Sequence, residues 1–410
     1  MGMWIKPWGI KEGMTIGAGL LMTGILLQCS IGAIDWTLFA YPVNAVVLVL
    51  LLLLVGCGYV WRNRLYVLSF LMTGGAAIPA LLYTGVLTIL MGLTPQMVSS
   101  NGHLGINQML TFWPFVLTYL WVTVIAGMVA VKQIHRRRQL ASCLSHVGLF
   151  IALVTGTLGN ADMQRLKMTV KLGKPEWRAM DDRGKVTELP LAVNLHEFSI
   201  DEYPPKLVII ENTSGNPLPE HHPQHISVEN EGVEGSLLDW QVKVNRRLDY
   251  AAQVTSQDST AVEVRYEEWP SVGATSAVYL TATNPQTGEV KEGWVSCGSF
   301  AFPYHGLTLD EQYSIVMPER EPRKFSSVVS VYTQSGAKVT DTILVNRPMN
   351  VEGWKIYQLS YDEHLGRWSD TSVFELVRDP WLPAVYVGII LMLAGGVLLF
   401  FRSPKKGGEK

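Results

Sequence analysis

The stretch Leu140–Leu158, LASCLSHVGLFIALVTGTL, decides the reading of this chain. It is long and apolar enough to cross a bilayer core. The basic run KQIHRRRQ (Lys132–Gln139) precedes it, and a polar region of more than two hundred residues follows it. A titratable side chain, His146, lies inside it. Such a group in hydrocarbon costs a few kcal/mol unless it finds a partner, so an intramembrane histidine points to function by default. Imidazole is a common axial ligand for haem iron. The alternative is a neutral ring bonded to a neighbouring helix, and residue type alone does not choose between the two.

Working outward, five more apolar runs approach or reach spanning length: Met14–Ala33, Val43–Val60, Leu65–Met91, Leu110–Val131 and Trp381–Phe401. The third holds Gly74, Gly75 and Pro79, so a kink is expected there, and proline is tolerated in a membrane helix. The first, flanked by Lys6 and Lys11, has the look of a signal peptide. Leu26-Leu27-Gln28-Cys29 resembles a lipoprotein cleavage site, but Gln28 is not the small residue expected, and the run is read as a retained span. Composition agrees with a membrane protein bearing a large aqueous part. Hydrophobic residues make up 48% of the 410, charged residues only 17%, and mean hydropathy is +0.19. A net charge of −2 gives no basic field for nucleic acid.

The basic residues choose the orientation. Trp61–Arg64, Lys132–Gln139 and the tail RSPKKGGEK share one side with Lys6 and Lys11, while Asp35–Pro42 and Gly92–Met109 contain no Lys or Arg. Both termini are therefore expected in the cytoplasm, with residues 159–380 outside a bacterial cytoplasmic membrane. The cationic loop Arg136–Arg138, beside His135, is expected to set topology or touch anionic lipid.

Residues 160–380 alternate with period two. WQVKVNRRL, AVEVRYEEW, SAVYLTATN, SSVVSVYTQSG, KVTDTILVN, GWKIYQLSY and TSVFELV are separated by turn-forming NPQTG, QSGAK and NRPMN. The expectation is an antiparallel β-rich, sandwich-like domain. The division reads as two N-terminal spans (1–64), three further spans (65–158), the β-rich domain (159–380), a final span (381–402) and a basic tail (403–410).

Catalytic signatures such as HExxH, GxSxG, a P-loop or CxxC are absent from the sequence. Four cysteines, Cys29, Cys57, Cys143 and Cys297, support neither a disulfide framework nor thiol redox chemistry and read as packing residues. His221, His222 and His225 in PEHHPQH could meet a metal, but the loop is proline-rich and reads as solvent-exposed. Asp201-Glu202, Glu267-Glu268 and Asp362-Glu363 are neighbours on strands, pointing to opposite faces, and read as solvated charges. His103, His196, His305 and His364 read as structural or solvated.

Several segments together resemble the ResB (CcsB) family of cytochrome c biogenesis proteins. GLTPQ (Gly92–Gln96) is similar to the Pro-Gln end of that family's first span. MLTFWPFVLTYLWVTVIAGM (Met109–Met128) is similar to its second span, and LSHVGLFIALVTGTLG (Leu144–Gly159) to its third. The most specific piece is REPRKFSSVVSVYTQSGAKVTDTILVNRPMNVEGWKIYQLSYD (Arg320–Asp362). Its Asn346, Pro348, Gly353, Tyr357, Gln358, Ser360 and Tyr361 resemble the family's Asn-x-Pro, Gly, Tyr-Gln-x-Ser-Tyr pattern, and RDPWLPAVYVGIILML resembles its final junction and span. The likeness covers about residues 65–402, leaving spans one and two as additions.

What the resemblance implies is a membrane subunit of system II that holds or exports haem b and presents it to apocytochrome c. It would act with a ResC/CcsA-type partner that carries the tryptophan-rich WWD motif. Trp368-Ser369-Asp370 does not match that motif, so the chain would be one half of a haem lyase, not a self-sufficient one. His146, about 9 Å from the start of its helix at about 1.5 Å per residue, would be an axial ligand on the cytoplasmic side. Gly148, Ala152 and Gly156 recur every four residues, forming a small-residue stripe on another face. Two other classes remain open on the sequence. One is a membrane-anchored binding or sensor module without haem. The other is a secondary transporter, for which neither an inverted repeat nor several intramembrane polar groups are seen.

Overall fold

The computed structural model describes residues 4–96, 105–136, 140–255 and 264–401. Parts of the loop 92–109 with His103, of the basic run at 137–139 and of the tail from Arg402 onward lie outside the described residues. The chain divides into two compact units, Met1–Gln164 with Arg378–Lys410, and Arg165–Val377.

The first unit is helical: α1 (Ile10–Ile31), α2 (Val43–Trp61), α3 (Tyr66–Phe70), α4 (Gly74–Leu93), α5 (Trp113–Arg136), α6 (Leu140–Gly159) and α7 (Leu382–Phe400). All but the five-residue α3 are long and apolar enough to cross a membrane, six among the described residues. The apolar runs form helices because they lack the internal alternation of strands and because lipid satisfies no backbone group, leaving the i to i−4 ladder as the solution.

The third span departs from expectation in an informative way. Its break falls at residues 71–73, ahead of the glycine pair, and Pro79 sits inside α4. Pro79 has no N–H for the carbonyl of Gly75, one turn before it. Gly13 of α1 lies directly against that carbonyl, and a Cβ on Gly75 would come within 3.0 Å of the Gly9 carbonyl carbon. The glycines here serve a close crossing of α1 and α4 and not a hinge.

A similar seam joins α6 and α7. A Cβ on Gly388 would lie 2.6 Å from Ala152 N and 2.9 Å from Gly148 O, and one on Gly148 would strike Gly388 and Met392 backbone. Gly395 crosses against Ala141 and Ser145. The stripe in use is thus Ala141, Ser145, Gly148 and Ala152. Gly156, which the four-residue spacing includes, is different. A Cβ placed on it would meet nothing within 4 Å, and it borders a cavity instead. The spacing 4, 3, 4 keeps a row on one side of a helix turning 3.6 residues per turn, whereas repeated steps of four drift off it.

The second unit is all β. Its strands are β1 (Gln164–Lys171), β2 (Glu176–Met180), β3 (Val186–Glu202), β4 (Lys206–Glu211), β5 (Ile226–Ser227) and β6 (Glu234–Leu237). Then come β7 (Trp240–Thr255), β8 (Val264–Glu268), β9 (Thr275–Thr283), β10 (Val290–Ser296), β11 (Leu307–Thr308) and β12 (Tyr313–Val316). The last are β13 (Pro322–Thr333), β14 (Lys338–Leu344), β15 (Met349–Val351), β16 (Trp354–Tyr361) and β17 (Thr371–Arg378). The β-rich expectation holds. It is realised as an eight-stranded sheet, β14-β13-β3-β2-β1-β17-β16-β15, whose ends β14 and β15 come together so that it nearly closes. Two smaller sheets, β10-β9-β7-β6 with β8 on β7, and β11-β12-β4-β5, complete the unit.

Period-two burial builds both cores. Leu166, Met168 and Val170 of β1 and Leu189, Leu191, Val193 and Leu195 of β3 turn inward, as do Val329, Val331, Ile356 and Phe374. Leu207, Val244, Leu280, Val295 and Ile315 fill the second core. Each fully buried side chain of this size contributes about 1.5–3 kcal/mol.

The α6–α7 seam yields a direct test. Gly388→Ala is expected to destabilise by about 1–3 kcal/mol, because backbone cannot retreat from the added methyl. Gly156→Ala, with open space around it, is expected to be near neutral. Thermal unfolding of both variants in one detergent distinguishes them.

Candidate functional site

His146 is half-buried in α6, and its Nδ1 lies 2.8 Å from the carbonyl oxygen of Ser142. A carbonyl only accepts, so Nδ1 carries the proton and donates it. In the neutral ring this fixes the tautomer and leaves the Nε2 lone pair outward. No hydrogen bond to Nε2 is formed among the described residues. A backbone carbonyl on the far ring nitrogen is the arrangement that steadies metal-binding histidines and raises their basicity.

The face on which His146 sits can be read from its row. Phe150, Leu153 and Thr157 follow it at spacings of 4, 3 and 4. The Phe150 ring lies against Gly127 of α5, 2.7 Å from where a Cβ would be, and the Tyr119 hydroxyl of α5 donates to Leu153 O at 3.2 Å. The row of His146 therefore belongs to the α5 side of α6, and the glycine seam with α7 lies on the other side. Beyond it, Tyr119, Thr157 and Gly156 border a cavity of 230 Å³ with Trp36 and Phe115.

His135, which the sequence places in a basic loop, sits in the last turn of α5. Its Nδ1 faces Val131 O at 3.3 Å, and its ring packs on Tyr59 at 4.9 Å. The Arg62 guanidinium covers the Tyr59 ring at 3.8 Å.

A carboxylate clamp ties the helices together at their other end. Asp162, three residues past α6, accepts hydrogen bonds from Tyr41 N at 2.7 Å, Asn44 Nδ2 at 2.6 Å and Trp381 Nε1 at 2.7 Å. Asn44 is fully buried and also donates to Leu158 O at 3.2 Å. Burial alone would raise the Asp162 pKa, but the bonds from Tyr41, Trp381 and Asn44 outweigh it and hold the carboxyl below its usual range.

In the β unit, the family-like residues serve the backbone. Glu352 and Gly353 have φ of 46° and 81° and form the two-residue turn that pairs Val351 with Trp354. Positive φ at both central positions is what a tight hairpin of this hand requires. Asn346, at φ 65°, turns the chain between β14 and β15 ahead of Pro348. Tyr361 packs between Phe198 and Phe325, with ring centroids 5.1 Å away in each case. Gln358 is 6% exposed and donates to Ser360 O at 3.0 Å, while its Oε1 is buried without a partner; Tyr357 is half-buried.

Sequence reasoning missed a charge cluster. Glu202, read as solvated, has a side chain 13% exposed and faces Arg320 at 3.3 Å and Arg367 at 3.9 Å. The two guanidiniums also donate to Ser276 Oγ, at 3.4 and 3.0 Å. Its neighbour Asp201 points outward, as strand alternation demands. The cluster borders a cleft of 350 Å³ with Cys297 and Trp368. Arg320 lies just before β13 and Arg367 in the turn Gly366–Trp368 between β16 and β17, and nothing in the sequence joins residues 202, 320 and 367.

The histidines of the β unit do not converge. His196 Nε2 meets Ser330 Oγ at 2.7 Å, and His221, His222, His225 and His364 are exposed. No group of three His, Cys, Asp or Glu side chains among the described residues is placed to hold a metal. The four cysteines are unpaired thiols.

A model of the ResB-like family matches residues 273–372, which bears out over that segment the resemblance read from Arg320–Asp362. It supports a role in cytochrome c biogenesis in general. No curated protein matches the chain. Except for Glu202, all residues lining the 350 Å³ cleft lie within the matched segment.

Two expectations follow. Glu202→Gln removes the carboxylate that both guanidiniums share, leaving Arg320 only Asp249 at 4.0 Å, and should cost about 3 kcal/mol, read from denaturant unfolding. Asp162 has a depressed folded-state pKa, so its contribution is full above the ordinary carboxylate pKa and is lost as pH falls through the folded value. The melting temperature of Asp162→Asn should therefore lie below the native one at about pH 7, and the gap should close as pH drops from about 5 towards about 3. A gap independent of pH over that window would remove the carboxylate from the account.

Proposed function

We propose that this protein is the membrane subunit of a cytochrome c haem-attachment complex. It holds or exports haem b and presents it to apocytochrome c with a ResC/CcsA-type partner. The ResB-like segment and the six membrane-length helices support this reading, and the one observation that carries it to a site is the His146 geometry. With Nδ1 bonded to Ser142 O, Nε2 is the nitrogen left to meet iron. Haem here is cargo, and the residues of this chain bind and orient it.

The topology that fits is the one read from the basic loops: a multi-pass protein of the bacterial cytoplasmic membrane, termini inside, β unit outside. His146, about two turns into α6, then lies in the cytoplasmic half of the hydrocarbon, where haem made in the cytoplasm would be met. The glycine seam on the opposite side of α6 packs α7 without occupying the imidazole. Ligation needs the neutral ring, so protonation competes with haem binding. The partner would supply the second axial ligand and the WWD surface. Thioether formation consumes the acceptor's cysteines and haem vinyl groups, and the β unit contributes docking or shielding.

The test is the visible spectrum of the protein purified with its partner, native against His146→Ala. The expected outcome is loss of most of the Soret and of the split α and β bands, with recovery on adding imidazole. Equal haem in both samples would return His146 to helix packing. An intact complex without haem in either sample favours a membrane-anchored binding module.

A further inference from the structure

The cavity beside Gly156, at one end of the helical unit, is left unused by the reading of His146. It measures 230 Å³ and lies between α5, α6 and the short helical turn Trp36–Phe39. Most of its wall is apolar: Trp36, Leu110, Phe115 and Val116. Gly156 is its floor, and a Cβ there would meet nothing within 4 Å. Gly148, Gly388 and Gly395 are glycines because backbone lies against them. Helix packing makes no such demand at 156. The bare backbone leaves a flat patch on which a ring can lie.

The cavity sits at the membrane–water boundary of the bundle. α5 begins at Trp113 and α6 ends at Gly159, and Trp36 and Trp381 stand at the same end. Tryptophan collects at that depth, where one side of the ring is apolar and the other wet. Trp36 is half-buried, and its indole N–H is committed to Leu110 O at 2.9 Å, which fixes the ring as a wall. A guest entering here comes from the lipid, with a polar head at the boundary.

Polar groups occupy two levels of the cavity. At the deeper one, Thr157 Oγ1 donates to Leu153 O at 2.9 Å. The Tyr119 hydroxyl donates to the same oxygen at 3.2 Å and lies within bonding reach of the Thr157 hydroxyl. That carbonyl also serves the helical N–H four residues on, so an acceptor with two lone pairs is offered three protons. The Tyr119 bond is the longer of the two side-chain bonds and is surplus; its hydroxyl can turn to a guest without orphaning the carbonyl. At the upper level Asn160 is exposed, and its side-chain amide forms no hydrogen bond among the described residues. Asn160 lies about 4.5 Å beyond Thr157 along the axis, at about 1.5 Å per residue.

The guest that suits both levels is a flat ring with an oxygen on each of two opposite edges. An acyl chain would meet the apolar wall but leave both polar levels unanswered. We propose that this cavity seats the head group of a membrane quinone. One ring oxygen bonds to the Tyr119 hydroxyl and the other to the Asn160 amide, with the ring lying over Gly156 against Phe115. The volume is below the about 300–1,000 Å³ of pockets that enclose a whole small molecule, so the head enters and the isoprenoid tail stays in lipid.

The experiment uses the full chain in phosphatidylcholine nanodiscs free of quinone. It is photolabelled with a decyl azidobenzoquinone, and the labelled residues are located by mass spectrometry. Neither haem nor a partner is added, so the outcome is independent of the haem-handling reading. Label is expected to concentrate on Trp36–Phe39, Leu110–Tyr119 and Gly156–Asn160 and to be suppressed by excess decylubiquinone. Gly156→Leu fills the open space without touching the α7 seam. It should keep the native melting temperature and cut labelling roughly tenfold or more. Tyr119→Phe removes one hydrogen bond and should weaken competition by decylubiquinone about tenfold.

Label spread over the lipid-facing sides of all the long helices, or label that excess decylubiquinone does not suppress, overturns the proposal. Undiminished labelling of Gly156→Leu does the same. If Tyr119→Phe binds as the native protein does, and the dimethyl ether of decylubiquinol competes as well as decylubiquinone, the ring oxygens are not read. The cavity is then a seat for an acyl chain, and the quinone assignment falls.

Discussion

The carboxylate of Asp162 is the constraint on which the helical unit depends. It gathers a backbone N–H before α2, a buried side-chain amide within α2 and the indole of Trp381 at the start of α7. These groups are 121, 118 and 219 residues away along the chain. The chain leaves the helical unit just after Asp162 and re-enters it just before Trp381. One hydrogen bond between them therefore closes the neck of an insertion containing the whole β unit. A lone carboxylate at the end of a membrane helix would be satisfied by water; here it joins three helices at one level. This fixes the position of the end of α6 relative to α2 and α7.

Much of this architecture could be read from the sequence, for reasons that differ by element. The spans were legible because hydrocarbon forces a single backbone solution and a long apolar run. The strands were legible because each buries one face: β1 alternates cleanly, and β3 does so over Leu189–Leu195 before a bulge at His196 shifts its register against β13. His146 was legible because a titratable group stands out against Leu and Val. The Asp162 clamp was not, since Asn44 and Trp381 are ordinary residues at span ends until folding brings them together. The same holds for Glu202, whose partners come from the segment before β13 and from the turn between β16 and β17. The third span shows a subtler limit: Gly74, Gly75 and Pro79 read as a kink, whereas α1 packs onto the carbonyl that Pro79 leaves unpaired.

The family-like pattern near 346–361 describes a backbone more than a chemistry. Asn346, Glu352 and Gly353 adopt the positive φ that their turns need, and Tyr361 anchors a strand between two phenylalanines. Such residues place β14, β15 and β16 so that the large sheet can nearly close. The charged groups Arg320 and Arg367 stand outside that pattern but within the matched segment. Residues that specify turns and residues that carry charge can thus occupy the same hundred positions without sharing side chains.

The seam between α6 and α7 has a consequence for the order in which the molecule is made. α6 emerges from the ribosome before the β unit and α7 after it, with more than two hundred residues between them. At about 5–20 residues per second, α6 waits about ten to forty seconds for the helix that its glycines are shaped to meet. During that interval Gly148 and Ser145 face lipid or a temporary companion, and α5 is the neighbour already in place. One flank of α6 is therefore left without its packing neighbour until α7 arrives. The last nineteen-residue helix therefore acts as the latch of the bundle, and a chain truncated before it would leave α6 half assembled.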